Sequence, residues 1–324
     1  MRKGIKICLS LILIIGVIGI FILGYVYIKL DQIHVEEEIE PATPRSQEIP
    51  KELTKGLEGA IKGISHILLI GQDTREDDVT THSDAVMLVT LDTIHNNIKL
   101  TSFSRDAYVN IPEYGYEKLT HAYAYGQAPL LLDTVNKNFG LNVSDYISVD
   151  FESFIKAIDI IGGVEVTLEE ISLKEFNRVA LENYNKFYES QEVAYEPIND
   201  YGVYMLNGYQ TLAYVRMRKA DSTFAREQRQ REIVGELFKQ LSALPFTKYP
   251  QLFEEILPYV TTNIEPTRLV SLGMTALSLG IDTIKQMEFP GEDYGNGVRI
   301  EDKGWVLEWD EEEGRRALQQ FLNE

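Results

Sequence analysis

His66-Ile-Leu-Leu-Ile-Gly71, Asp84-Ala-Val-Met-Leu-Val-Thr-Leu-Asp92 and Ile98-Lys-Leu-Thr-Ser-Phe103 are three short apolar runs in quick succession. Each is shorter than an ordinary helix and bounded by polar or turn-forming residues, so each predicts a strand. His95-Asn96-Asn97 supplies a hairpin turn between the second and third. Nearly continuous apolar runs imply burial on both faces. Helical spacing follows: Leu131, Leu132, Val135 and Phe139 predict a helix from Pro129 to Phe139, and Phe151, Phe154, Ile155, Ile158 and Ile161 another from Phe151 to Ile161. Gly162-Gly163 breaks the chain before Val164-Glu-Val-Thr-Leu168, a further strand. Leu206–Val215, Phe224–Leu244, Pro266–Leu279 and Asp310–Leu322 read as helices, and the polar, aromatic stretch from Glu182 to Tyr201 as a long loop or insertion. Strands interleaved with helices define an α/β domain: a mixed central sheet with helices on both faces, an αβα sandwich.

Upstream of that domain, residues 7–28 carry no charged side chain. At helical rise they span roughly 33 Å, enough to cross a bilayer core. Arg2, Lys3 and Lys6 precede them, which places residues 1–6 in the cytoplasm and the remainder outside. The run is longer than the apolar region of a cleaved signal peptide and lacks an Ala-x-Ala site, so it reads as one N-terminal transmembrane helix. Residues 29–63, with Glu36-Glu37-Glu38 and three prolines, read as an extracytoplasmic stalk. Residues 64–324 form the external domain, with a core at 64–244 and a C-terminal extension at 245–324.

The net charge of −19 on 324 residues argues against nucleic acid as a partner, because such interfaces depend on basic patches. An anionic ligand needs a local island of cations instead. The only cysteine, Cys8, lies in the apolar run, which leaves the external part without a disulfide or thiolate nucleophile. Polar residues gather beside the strands in Gly71-Gln72-Asp73-Thr74-Arg75, His82-Ser83-Asp84 and Ser104-Arg105-Asp106. If the second strand is antiparallel to its neighbours, all three clusters fall at one end of the sheet, where α/β folds place active sites. A fourth cluster, Arg216-Met-Arg218-Lys219 with Asp221, Arg226, Arg229 and Arg231, is a cationic island. Arg229 and Arg231 there fit a solvated helix face with Glu227 and Glu232 as partners. Arginine forks suit phosphate, and two aspartates among arginines suit a hard cation such as Mg²⁺ completed by phosphate oxygens. Together they describe a pyrophosphate site. His66, His95 and His121 lack metal-ligand spacing, Ser83 and Ser104 lack a nucleophile elbow, and no phosphate-cradling glycine loop is present.

The ordered blocks Ile67-Leu-Leu-Ile-Gly-Gln-Asp-Thr-Arg75, His82-Ser-Asp84, Ser104-Arg-Asp-Ala-Tyr-Val109, Lys118-Leu-Thr-His-Ala-Tyr-Ala-Tyr-Gly126, Ile161-Gly-Gly-Val164, Leu206-Asn-Gly208, Ala213-Tyr-Val-Arg-Met-Arg-Lys219 and Arg226-Glu-Gln-Arg-Gln230 closely resemble the LytR–CpsA–Psr family. The resemblance implies a phosphotransferase outside the membrane. It would move an anionic glycopolymer, such as wall teichoic acid or capsular polysaccharide, from an undecaprenyl pyrophosphate carrier to peptidoglycan. By motif match, Asp73 and Asp84 would hold Mg²⁺ (or Mn²⁺), and Arg105 and Arg216 would act with them in catalysis. Arg75, His82, Lys118, Arg218, Asp221, Arg226 and Gln230 would bind substrate. A channel lined from the helices Pro129–Phe139 and Phe151–Ile161 would take the polyprenyl tail. Asp73, Asp106 and Asp221 all stay open as the general base.

Two positions depart from the family pattern. His82 stands where arginine is common, and a histidine carries its charge only where its surroundings hold it protonated. Ser104 stands where proline is common, which changes loop stiffness. Two other readings stay open: a prenyl-pyrophosphate hydrolase using the same site, and a non-catalytic membrane-bound regulator.

Overall fold

A computed structural model describes residues 34–35, 61–73, 82–188, 194–217, 223–243, 260–279, 284–291 and 293–324. The transmembrane run and most of the stalk lie outside these residues. No helix among the described residues is long and apolar enough to cross a membrane.

The central sheet is built from β1 (His34–Val35), β2 (Ile64–Asp73), β3 (His82–Asp92), β4 (Asn97–Phe103), β7 (Asp145–Val149), β10 (Val260–Thr262) and β11 (Ile284–Phe289). β5 (Tyr108–Ile111) and β6 (Gly115–Lys118) form a separate hairpin, and β8 (Val164–Leu168) and β9 (Gly202–Leu206) a separate antiparallel pair joined through a helix. The order across the main sheet is β1-β10-β7-β2-β3-β4-β11. β3 is antiparallel to both β2 and β4, whereas β2–β7 and β4–β11 are parallel, so the sheet is mixed. The ends of β2 and β4 and the start of β3 therefore share one edge. Asn96 closes the β3–β4 turn with φ 54°, a left-handed conformation that asparagine tolerates.

The ladder contains one irregularity. Gly71 pairs with Ala85 and Gln72 with Ser83, so Asp84 is the extra residue of a β-bulge. Bulges bend a strand and re-aim a side chain, and they are common beside active sites.

The helices are α1 (Leu119–Phe139), α2 (Phe151–Ile161), α3 (Leu173–Phe187), α4 (Gly208–Arg216), α5 (Thr223–Ala243), α6 (Pro266–Leu279) and α7 (Glu311–Asn323). A last hairpin, β12 (Gly295–Ile300) with β13 (Gly304–Trp309), joins the body through a bridge from Leu307 to Ala107. On one sheet face, Leu68, Ile70, Val86 and Leu88 meet α1 and α7 through Leu131, Val135, Phe139, Leu318 and Leu322. On the other, Ile67, Met87, Val89 and Leu100 meet α6 and α5 through Leu272, Leu279, Val234 and Phe238. A third core joins α2, α3, α4 and the β8–β9 pair, and Ile233 and Leu237 of α5 reach into it.

Several expectations are corrected. The helix expected from Pro129 begins ten residues earlier, at Leu119, and breaks at Gly126 and Gln127 before continuing through Pro129. Glu182–Phe187 is the last part of α3 rather than loop, because Phe176, Val179, Ala180 and Asn183 give the whole helix a buried stripe that runs into it. The helix expected at Leu206 starts at Gly208; Leu206 ends β9, and Asn207 caps the helix in a reciprocal box with Gln210. Val164–Leu168 is a strand as expected, but it pairs with β9 outside the central sheet. Phe151–Ile161 and Pro266–Leu279 have the expected bounds. Leu131, Val135 and Phe139, offered as lining for a lipid tail, are fully buried against the sheet.

Gly208 shows why its motif tolerates nothing larger. A Cβ there would sit 2.5 Å from the backbone oxygen of Ile155. Its amide also donates to Asp159 Oδ1 at 2.7 Å, which draws α4 onto α2.

Candidate active site

The shared edge of β2, β3 and β4 gathers the charged residues. The guanidinium of Arg105, just past β4, donates from Nη1 to Oδ1 of Asp84 on the bulge. Its Nε lies 3.6 Å from Asp106 Oδ2, and Lys118 Nζ lies 3.1 Å from Asp106 Oδ1. Arg105, Asp84 and Lys118 each retain 16–22% side-chain exposure, so the cluster is at a rim and reachable by a ligand. Backbone contacts fix it. Thr120 donates its hydroxyl to the Ser83 carbonyl (2.9 Å) and its amide to the Arg105 carbonyl (3.0 Å), and the Leu119 amide donates to the Ala107 carbonyl (2.9 Å). One turn of α1 thereby ties the start of β3 to the end of β4. Asp73 pairs with His82 in the ladder, and Gln72 Nε2 donates to Ser148 Oγ at 2.6 Å. The Asp73 side chain, Arg75, Arg218 and Asp221 lie outside the described residues.

Arg216 ends α4 in a separate setting. Its Nη1 donates to Asn183 Oδ1 at 2.6 Å, its Nη2 lies 3.6 Å from Glu182, and its guanidinium stands 4.8 Å from the centre of the Phe151 ring. Asn183 is itself fully buried, and its amide donates to the Tyr209 carbonyl at 3.0 Å. Among the contacts described, none joins Arg216 directly to the Arg105 cluster.

α5 approaches that cluster from the other side. Arg226, Glu227, Arg229 and Arg231 are all buried, and Gln230 is half-buried. The solvated-face reading of Arg229 and Arg231 is therefore corrected. Arg229 donates to the carbonyls of Tyr214 (2.9 Å) and Met217 (2.8 Å), satisfying the C-terminal end of α4 around Arg216. Arg231 lies 3.4 Å from Glu288 on β11. Glu227 was missed by sequence reading. Burial, then the neighbouring Glu288, pushes its carboxyl up to about 8, against the opposing pull of Arg226, the Ser104 hydroxyl and Arg231. The signal available was its place inside Arg226-Glu-Gln-Arg-Gln230, whose charges give no hint of burial.

His82 makes an edge contact with the ring of His121, centroids 5.8 Å apart. His121 Nδ1 is 3.1 Å from Glu117, which also holds Lys303. His66 and His95 are structural: His66 meets the Thr90 hydroxyl at 2.9 Å, and His95 meets Asp92 at 2.7 Å. A cavity of about 730 Å³ opens elsewhere, between β8, α5 and β11. Its lining includes Glu165, Glu169, Glu232 and Glu236, which makes it unsuited to pyrophosphate.

The fold and site define an α/β sandwich with guanidinium and ammonium groups held by aspartates at one sheet edge. The chain belongs to the LytR–CpsA–Psr family, whose model matches residues 24–319. It is 28% identical over 303 residues to the polyisoprenyl-teichoic acid–peptidoglycan teichoic acid transferase TagT of Bacillus subtilis, covering 91% of this chain and 87% of that one. It is 29% identical over 262 residues to the regulatory protein MsrR of Staphylococcus aureus, covering 80% and 74%. The structure of TagT bound to LIIa-WTA superposes with a TM-score of 0.64 at 25% identity, covering 81% of this chain and 90% of that one.

Proposed function

We propose that the chain is a teichoic acid–peptidoglycan transferase of the cell envelope, acting on a polymer carried by a polyprenyl pyrophosphate. The observation that carries this reading is the Asp84–Arg105–Asp106–Lys118 cluster at the sheet edge of a fold shared with TagT. In the reaction, an acceptor hydroxyl oxygen bonds to the polymer-side phosphorus. The bond from that phosphorus to the bridging oxygen breaks, and polyprenyl monophosphate departs. Little covalent work is left to the protein, so positioning and charge stabilisation dominate.

Arg105 and Lys118 supply fixed positive charge at the rim, and Asp84 and Asp106 orient them. Arg226 and Gln230 add to the site from α5. Arg216, braced by Asn183, addresses the substrate from α4, and Arg75, Arg218 and Asp221 complete the set by motif. Asp106, committed to Lys118 and Arg105, serves as an orienting group. That leaves Asp73 and Asp221 for the proton of the acceptor hydroxyl.

Asp73 and Asp84 would hold Mg²⁺ or Mn²⁺. The donor chemistry fits: carboxylates at adjacent strand ends, beside cations suited to phosphate, match the habit of Mg²⁺ of taking one or two carboxylates and filling the rest with phosphate oxygens and water. Among the described residues no group of three or more His, Cys, Asp or Glu converges on a metal position. When bound, the ion would neutralise charge on the pyrophosphate oxygens. Residues 7–28 anchor the chain with its domain outside.

The test is transfer of polymer from synthetic polyprenyl-pyrophosphate donor to peptidoglycan by the purified full-length chain, with and without chelator. Product that requires acceptor and returns when Mg²⁺ is restored supports the reading. Free polymer phosphate released despite saturating acceptor would make the chain a hydrolase. No turnover of any donor would return it to the regulatory class.

A further inference from the structure

A row of rings leads away from the charged cluster. Tyr114 and Tyr125 stack face to face, centroids 4.5 Å apart at an interplanar angle of 19°. Tyr125 meets His121 at 5.8 Å, and His121 meets His82 at 5.8 Å. The row thus runs from the tip of the β5–β6 hairpin to a point two residues from Asp84. Its outer members face solvent: Tyr114 is 52% exposed and Tyr125 42%. Tyr116, 47% exposed, extends the same hairpin surface and packs on Tyr108.

The backbone is strained where the stacked pair is held. Among the described residues, three non-glycines have left-handed φ: Asn96, Glu113 at 69° and Gln127 at 54°. Glu113 directly precedes Tyr114, and Gln127 lies two residues after Tyr125, in the break of α1. Such conformations are costly to hold and gather at ligand clamps. A pair of exposed tyrosines fixed by two strained turns is costly to keep unless the rings meet something.

Charge identifies what they meet. Beside the row, Glu117 is matched by Lys303 and Lys118 by Asp106, and Glu113 adds a negative charge at the outer end. Among the described residues no surplus of cations is left there for a polyanion, and the chain as a whole carries −19. A pyranose suits these groups. Its C–H faces lie on the electron-rich faces of tyrosine, and its hydroxyls donate to flanking Glu carboxylates and accept from His and Lys.

We propose that Tyr114, Tyr125 and Tyr116 form a shelf that binds the uncharged glycan of the acceptor and leads its hydroxyl toward the phosphate-binding cluster. The shelf rests on the transferase reading for its acceptor, and names where that acceptor lies.

The experiment measures binding of soluble, uncrosslinked peptidoglycan glycan strands to the full-length chain in detergent micelles. The variants are Tyr114→Ala/Tyr125→Ala, Tyr114→Phe/Tyr125→Phe and, as an exposed tyrosine elsewhere, Tyr201→Ala. The double alanine variant should bind about tenfold more weakly and show the same rise in acceptor KM, with donor KM and circular dichroism unchanged. The phenylalanine pair and Tyr201→Ala should match the unmodified chain. Unchanged glycan affinity in the double alanine variant, or a rise in donor KM instead, overturns the shelf. If the unmodified chain binds glycan through these rings but transfers nothing, the shelf stands and the transferase reading fails. If it transfers while acceptor KM ignores the double variant, the reverse holds.

Discussion

The Arg105 guanidinium is held by the carboxylate of Asp84, the extra residue of the bulge in β3. The contact joins the end of one strand to the start of its neighbour and fixes a cation at the rim. Replacing Arg105 by alanine should lower transfer by on the order of 10²–10³-fold, the usual loss when one charge-stabilising donor is removed. Both side chains keep partial exposure, so the thermal midpoint should move little. Normal turnover by folded Arg105→Ala protein would remove this residue from the mechanism.

Arg216 depends on a partner that sequence reading did not single out. Asn183 accepts from Arg216 and, being fully buried, holds no other orientation cheaply. Asn183→Leu should therefore lower kcat about tenfold while donor KM stays within a factor of two, and should cost about 1–3 kcal/mol through the partner groups left unpaired. Equal losses in kcat and donor affinity would instead mark Asn183 as a packing residue alone. Steady-state kinetics with a urea titration separate the two.

At the opposite end of the sheet lies a buried ion pair. Lys99 Nζ sits 2.8 Å from Asp92 Oδ2, both side chains are fully buried, and Lys99 also donates to the Leu322 carbonyl at 2.9 Å. Burial opposes ionisation of Asp92, but hydrogen bonds from Lys99 and His95 overcome it and hold the carboxyl well below its ordinary value of 3.8. A depressed carboxyl contributes stability that is present above the unfolded value and is lost as pH falls through the folded one. Unfolding free energy should thus fall with acid below about pH 4. Lys99→Met should cost about 3–5 kcal/mol at neutral pH by leaving Asp92 buried and uncompensated. Adding Asp92→Asn should recover part of that loss, and a double-mutant cycle measures how much.

Glu227 makes the opposite prediction. Its carboxyl is raised from 4.5 to about 8, chiefly by burial. Its contribution is complete below the unfolded value and lost as pH rises through the folded one, so the chain should weaken between about pH 5 and 8. Glu227→Gln should flatten that slope and raise the melting temperature most at the alkaline end. A slope unchanged by the substitution would show that another group sets it.

What the sequence made legible was periodicity and order. Phe151–Ile161 and Pro266–Leu279 were readable because their apolar residues keep helical spacing to both ends. The same-edge convergence of Asp73, Asp84 and Arg105 followed from strand direction alone. The first turns of α1 were not legible, because Gly126, Gln127 and Pro129 look like a boundary, and the helix does break at Gly126 and Gln127, with further turns on the near side of the break. β11 was hidden because an edge strand need bury only one face, and Lys285, Gln286 and Glu288 break its apolar run. Glu227, Arg229 and Arg231 show the deeper limit: charge is visible in a sequence, but whether a tertiary partner permits its burial is not. The bulge at Asp84 is similar, since a single extra residue leaves no mark on composition.

Helix α5 inserts Ile233 and Leu237 into one apolar core and Val234 and Phe238 into another while carrying Arg226 and Gln230 at its start. Neither core can loosen without releasing the helix that the other needs. Amide exchange in both should therefore slow to a common rate, and the arginines on that helix inherit the rigidity of the whole body rather than that of a surface loop.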